Sequence, residues 1–365
     1  MDFAQTIEPY RKQIDEQLAE YFARKHADLK EANSDIAEEN YLAMQNYILG
    51  KGKRLRSVCA ILAYAACGGV EREKMVLPSL SVEFFHNASL ILDDVMDEDK
   101  ERREIIAAHE LVGKWFKEKF KQKKYKGYLF ANEQSRFAVS MSMIATDMLF
   151  SLGSQTILDS KFDSEKVVKA LHAYEKTYRL VNLGQMLDVY YEHEKEITKE
   201  QYLRMAYLKT GALLGGALKI GGIMAGASEK RLKAMDDFAM YSATTFQIQD
   251  DILDVTKGAE KGRELGSDLR KGKTTILVII AKEMLTKDKW KIIEKVLGNE
   301  KATKKDLDAA MHVLHHEGVV EATQKLAEKY NMQGKAAIRH AKPAFSPEYV
   351  KMFDAFADYL MHRKK

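Results

Sequence analysis

Four prolines, Pro9, Pro78, Pro343 and Pro347, are all that this 365-residue chain contains, and the whole stretch from 79 to 342 carries none. A proline ring removes a backbone donor and clashes with the preceding turn, so its absence leaves room for long uninterrupted helices. Strong helix formers such as Ala, Leu, Met, Lys and Glu fill that room. Apolar residues recur at helical spacing through 5–29, 38–67, 73–98, 134–159, 164–192, 199–226, 229–255, 272–287, 303–340 and 347–362. Turn signals such as Gly68-Gly69, Gly258 and Gly262 fall between these runs. Alternation of the strand kind is nowhere sustained, and no Pro/Gly/Ser-rich linker divides the chain. The expected fold is one all-α domain over 1–365.

Charge is nearly balanced, with 58 Lys and Arg against 54 Asp and Glu, which argues against a nucleic-acid partner. Cys59 and Cys67 are eight residues apart in one expected helix, about 12 Å at helical rise and too far for a disulfide. Free thiols imply a reducing compartment, and the expected location is cytoplasmic. MDFAQTIEPYRKQ lacks the apolar core of a secretory signal. GALLGGALKIGGIMAGA carries Lys219 and is too short and glycine-rich to span a bilayer convincingly, so no transmembrane segment is expected. Its glycines suit a buried helix approached closely by a neighbour. A lysine-rich insertion occupies about 114–133. KWFKEKFKQKKYK holds seven lysines against one glutamate, with Trp115, Phe116 and Phe120 between them. It reads either as a solvated helical extension or surface loop, or as a surface for transient contact with a membrane or partner.

Two aspartate clusters end apolar helical runs: ILDDVMDEDK with Asp93, Asp94 and Asp97, and TFQIQDDILD with Asp250, Asp251 and Asp254. Such crowding is unfavourable unless cations compensate it. At 3.6 residues per turn, Asp93 and Asp97 share a face while Asp94 points about 100° away; Asp250, Asp251 and Asp254 repeat the arrangement. Carboxylates on rigid helices suit Mg²⁺, which binds few of them, keeps waters and bridges to phosphates. Cationic motifs surround them: GKGKRLRS, the Arg102–Arg103 pair, YLKTG, and GSDLRKGKTT. Arg and Lys match phosphate oxygens by forked hydrogen bonds and by point charge.

These five motifs, GKGKRLR, FFHNASLILDDVMDEDKERR, YLKTG, FQIQDDILD and GSDLRKGKTT, stand in the order found in trans-isoprenyl diphosphate synthases, and the chain resembles that family, its geranylgeranyl-forming members in particular. The resemblance runs from about Tyr41 to the C-terminal region. It implies an all-α bundle of about ten or more helices around a central cavity. The implied reaction joins isopentenyl diphosphate head-to-tail to an allylic diphosphate (dimethylallyl, geranyl or farnesyl).

Three Mg²⁺ ions and a homodimer are also implied. Asp93 and Asp97 would bind two ions, with Asp94 beside them. Asp250 would bind the third, with Asp251 and Asp254 near its waters. Arg102, Lys209 and Lys273 would hold the allylic diphosphate, with Arg263 a further candidate in place of the usual lysine. Lys53, Arg56, His86 and Arg103 would bind isopentenyl diphosphate without metal. Thr210 and Gln247 would border the allylic cation, with Phe246 packed beside the substrates. The leaving diphosphate would serve as the base. Lys51 and Arg54 are left unassigned, as solvated or ion-paired. His312, His315 and His316 fit an exposed helix.

The chain departs from the family at Ser57, where a proline is usual, at Glu104, where glycine usually follows the arginine pair, and in the long interval from His109 to Asp147. Small residues at Ala88 and Ser89 would leave a product tunnel open, and either Phe85 or Phe84 beside it would supply a floor. That points to a product of geranylgeranyl length or one unit longer. Two rivals share part of the pattern: a class I terpene cyclase, which needs no second diphosphate site, and a regulatory subunit of a heteromeric synthase.

Overall fold

A computed structural model describes residues 3–28, 34–102, 104–121, 123–194, 196–256 and 265–362. Arg103 and Arg263 lie outside the described residues. The fold is all-helical apart from one antiparallel ladder of two-residue strands, β1 (Glu101–Arg102) and β2 (Ile105–Ile106). Two compact units make up the chain: Ile7–Tyr174 with Ile220–Gly226, and Met1–Thr6 with Glu175–Lys219 and Ala227–Lys365.

The first unit holds most of α1 (Phe3–Ala27), then α2 (Asp35–Leu49), α3 (Leu55–Ala66), α4 (Val76–Met96), α5 (Ala108–Lys119), α6 (Glu133–Leu158) and the start of α7 (Ser164–Tyr191). Helix α4 is its spine and packs along α6 and against α3. Pro78 sits in the first turn of α4, where its missing donor costs nothing. Leu80, Phe84, Phe85 and Ile91 are fully enclosed, and each such side chain contributes about 2 kcal/mol by leaving water.

One long expected helix, 38–67, is in fact two. The chain turns at 50–54, and Arg54 adopts a left-handed backbone with φ 50° just before α3. Its guanidinium is buried, bonded to Asp15 at 2.7 Å, Glu83 at 3.2 Å and the carbonyl of Ile48 at 2.7 Å. Arg54 is therefore ion-paired, the second of the two expected alternatives, and serves as the strut of this bend. Ser57 lies in the first helical turn of α3, donating to the Ser79 carbonyl at 2.7 Å. Gly221 makes the closest backbone approach in this unit: a Cβ there would meet the Ala60 carbonyl oxygen at 2.0 Å. That fulfils the expectation of a glycine-lined contact.

The second unit contains the rest of α7, α8 (Lys199–Ala206), a π turn at Tyr207–Gly211, most of α9 (Ala212–Met224), α10 (Glu229–Asp254), α11 (Ser267–Arg270), α12 (Ile276–Met284), α13 (Lys287–Glu294), α14 (Lys304–His316), α15 (Val319–Arg339) and α16 (Pro347–Met361). Helix α10 packs along α15. The expected helix 303–340 breaks at Gly318, whose φ of 75° is a conformation glycine adopts without strain. The stretch 272–287 resolves into α12, with α11 before it. Helices α5 and α13 had no counterpart among the expected runs. His312, His315 and His316 are exposed on α14.

Two helical stretches are long and apolar enough to cross a membrane by length and composition, Arg72–Met96 and Glu133–Leu158. The most apolar window of the first is 72% buried, as suits a core helix, against 33% for the second.

Candidate active site

In the first unit, α4 presents a narrow accessible stripe: His86, Ser89, Leu90, Asp93 and, just past its end, Asp97. Helical periodicity puts these on one side. Asp94 faces the other way. Its side chain is 0% exposed, against 19% for Asp93. The Tyr47 hydroxyl donates to Asp94 Oδ2, and Arg102 Nε donates to Oδ1 at 2.5 Å. Burial, and then the bond to Asp94, raise the Tyr47 phenol above its usual range. Both oxygens of Asp94 are thus engaged, so it anchors the helix end while Asp93 and Asp97 stay accessible. Arg102 bridges the two roles, since its Nη2 also reaches Asp93 at 2.9 Å. Strand β1 holds it there.

Glu104 follows with φ 69°, the left-handed region that favours glycine. A glycine would adopt this conformation without strain; here Glu104 adopts it with a side chain. Lys53 is exposed and Arg56 and His86 are partly so; Lys51, exposed, pairs with Glu104 at 3.6 Å. The chain-length candidates separate. Ser89 is on the accessible stripe, while Ala88 is enclosed on another side. Phe85 packs edge-on against Phe150 at 5.1 Å and Tyr174 at 5.7 Å. Phe84 instead meets Tyr21 and Phe22 of α1.

In the second unit α10 repeats the design. Phe246, Gln247 and Asp250 are partly accessible, and Asp251 is buried. Asp251 Oδ2 accepts the Tyr202 hydroxyl at 2.5 Å and the Ile276 amide at 3.0 Å, and Gln247 Nε2 donates to Oδ1 at 3.3 Å. Burial, with Asp250 and Asp268 nearby, pushes the Asp251 carboxyl up to about 7 against the opposing pull of its hydrogen bonds. Asp254 is also buried, accepting from Ser267 Oγ at 3.1 Å and the Asp268 amide at 3.2 Å, and so ties GSDLR to the end of α10. The family resemblance implied that Asp251 and Asp254 lie near the metal waters; the structure gives both of them structural partners.

YLKTG forms the π turn, a bulge that recurs at functional sites because it re-aims side chains. Lys209 Nζ lies 2.5 Å from Asp188 Oδ2 of α7. Thr210 and Lys273 are partly accessible. Sequence reasoning missed Asp188 and Gly184. A Cβ on Gly184 would sit 2.2 Å from the Lys209 amide nitrogen, so only glycine lets α7 approach the π turn. GQMLD on an otherwise polar helix was the available signal. It also missed Tyr47 and Tyr202, whose partners are 47 and 49 residues away in sequence.

A sequence model of the family "Polyprenyl synthetase" matches residues 38–314. The short chain isoprenyl diphosphate synthase of Methanothermobacter thermautotrophicus is 30% identical, over 95% of this chain and 98% of that protein. The crystal structure of geranylgeranyl pyrophosphate synthetase from Pyrococcus horikoshii superposes with a TM-score of 0.80 at 26% identity, covering 99% of this chain and 98% of that one. Geranylgeranyl pyrophosphate synthase from Corynebacterium glutamicum, complexed with isoprenyl diphosphate and magnesium, shares the fold at a TM-score of 0.82 and 22% identity, covering 96% and 99%. With both aspartate helices, the π turn and the cationic motifs in place along such a match, this chain belongs to the polyprenyl synthetase family and is a prenyltransferase.

Proposed function

We propose that the enzyme condenses isopentenyl diphosphate with an allylic diphosphate to make a geranylgeranyl-length all-trans product, using Mg²⁺. Among the described residues, no group of three or more His, Cys, Asp and Glu side chains could hold a metal ion. Mg²⁺ needs no such cage, because one or two carboxylates, waters and substrate phosphates complete its shell. Asp93, Asp97 and Asp250 are accessible carboxylates that fit this requirement. Bound there, Mg²⁺ would neutralise charge developing on the leaving diphosphate.

The chain's own groups do the rest. Asp94 and Asp251 fix the two helix ends. Arg102, Lys209 and Lys273 grip the allylic diphosphate, Lys209 being aimed by Asp188. Lys53, Arg56 and His86 hold the diphosphate of isopentenyl diphosphate. Thr210 and Gln247 offer dipoles beside the allylic carbon, a fixed polar environment that stabilises cationic character.

One observation carries the chain length. On the accessible stripe of α4, the side chains between Asp93 and the enclosed Phe85 are Leu90, Ser89 and His86, with no aromatic hydrocarbon ring among them. A growing chain is blocked by aromatic bulk, and Phe85, braced by Phe150 and Tyr174, is the first such ring on α4 below Asp93. The relatives' names include short-chain, geranylgeranyl and geranylfarnesyl synthases, so the length rests on this stripe and not on them. The test is product analysis with labelled isopentenyl diphosphate and each allylic primer. Predominantly farnesyl product contradicts the reading.

The enzyme works in the cytoplasm as a homodimer. Its support is the α6 face carrying Met143, Ile144 and Leu158, which are apolar and exposed. Ile144→Asp should convert dimer to monomer in sedimentation; an unchanged mass would rule that face out.

A further inference from the structure

The lysine-rich insertion takes no part in the chemistry described above, and its shape is specific. Its first half is the end of α5, where Trp115 and Phe116 pack against Phe137 of α6 and Phe120 closes the cluster. This aromatic footing fixes the insertion to the body of the unit. Beyond it, Lys121, Lys123, Lys124 and Lys126 are exposed. Among the described residues, no carboxylate pairs with Lys117 or with any of these four; only Lys114 and Lys119 are paired, with Glu118 and Asp35. The seven lysines stand against one glutamate, whereas the whole chain carries a net charge of only +4. The remainder is slightly acidic, so this patch is the chain's dominant positive feature.

Two further features say what it fits. Lys123, Lys124, Tyr125, Lys126, Glu133 and Arg136 line a concave cradle of about 450 Å³, four cations against one carboxylate. Beside it the chain exposes bare apolar side chains: Tyr128 is 98% exposed, Leu129 71% and Phe120 45%. Lysines that attract phosphate headgroups, next to an aromatic and an aliphatic tip that enter the headgroup layer, are the pattern of a membrane-surface anchor. A nucleic-acid site would pair the charge with a stacking platform instead.

We infer that residues 120–121 and 123–129, with Arg136, dock the enzyme on anionic membrane surfaces, the cradle seating a lipid phosphate headgroup while Tyr128 and Leu129 enter the interface. The inference does not rest on product length or on the identity of the allylic primer.

The test is co-sedimentation of the full-length protein with phosphatidylcholine vesicles, with and without phosphatidylglycerol. Binding is expected to the anionic vesicles alone and to weaken steeply with added salt. At about fivefold per lysine, the combined Lys121→Gln, Lys123→Gln, Lys124→Gln and Lys126→Gln variant should lose on the order of a hundredfold or more in affinity. Tyr128→Ser with Leu129→Ser should lose affinity with all lysines intact, which a purely electrostatic association would not show. Both variants should keep wild-type turnover of water-soluble substrates, which confirms their fold. Equal binding to neutral vesicles, wild-type binding by either variant, or no binding at all would overturn the inference. So would stronger binding to homopolymer RNA than to anionic vesicles.

Discussion

The Tyr202 hydroxyl donates to the Asp251 carboxylate at 2.5 Å, deep in a site where that carboxylate is shut off from water. Tyr47 makes the same contact with Asp94, the corresponding position of the other aspartate motif. Each DDxxD therefore divides its labour: the second aspartate holds the helix end in place while the first, Asp93 or Asp250, stays accessible; Asp97 is accessible too, whereas Asp254 is buried and tied to the segment after α10. Removing the donor while leaving the buried acceptor costs the desolvation of that acceptor, about 1–3 kcal/mol. Tyr202→Phe should lower the urea midpoint accordingly, with substrate KM changed less than kcat. A midpoint equal to wild type would show that the bond does not hold the helix.

Gly184 is the narrowest constraint in the second unit. Any Cβ there meets the Lys209 backbone, so Gly184→Ala must push α7 away from the π turn and pull Asp188 from Lys209. Overpacking of this kind costs about 1–3 kcal/mol. Activity should fall by at least tenfold with a lowered Tm. Full activity would mean that the π turn tolerates displacement.

Glu104 supplies a test in the opposite direction. Its left-handed backbone costs roughly 1–2 kcal/mol, partly offset in a glycine variant by about 0.4–1 kcal/mol of added freedom in the unfolded chain. The exposed pair with Lys51 contributes little. Glu104→Gly should therefore raise the urea midpoint slightly and leave Mg²⁺-dependent turnover intact. A lower midpoint would contradict the strain.

The two cysteines should differ in reactivity. Burial pushes the Cys59 thiol from 9.0 up to about 12, whereas Cys67 is partly exposed. A folded pKa above the unfolded value favours the fold below about pH 9, and that contribution is lost as pH rises through about 12. At pH 8, iodoacetamide should alkylate Cys67 readily and Cys59 only through opening of the fold. Equal rates, followed by mass spectrometry, would place Cys59 nearer the surface.

Chain length can be probed at the enclosed ring. Phe85→Ala should admit longer products while destabilising the core by about 3–5 kcal/mol. Phe85→Leu keeps most of the volume and guards against simple unfolding. Unchanged product from a folded variant would remove Phe85 as the floor.

Much of this was legible in the residues. Helices α6, α7, α10 and α16 fall within a residue or two of the apolar periodicity, and α4 within about three, because each is long and one-sided. The 100° offset of Asp94 and Asp251 was also readable from helical geometry alone. Their partners were not, since Tyr47 and Tyr202 reach them only through tertiary packing. Arg54 was open in the sequence between solvation and ion pairing, and only the fold brings Asp15 and Glu83 around it and decides for the pair. The bend at 50–54 escaped because apolar spacing resumes in phase on its far side. Asp188 carried no cationic neighbour in sequence, and its partnership with Lys209 exists only once α7 meets the π turn.

The most direct measurement is the Mg²⁺ dependence of condensation for Asp93→Asn and Asp250→Asn beside Asp94→Asn. The accessible carboxylates should lose a hundredfold or more in rate and need more Mg²⁺ while keeping the wild-type Tm; Asp94→Asn should lose stability first. Wild-type Mg²⁺ dependence in Asp93→Asn and Asp250→Asn would contradict the account.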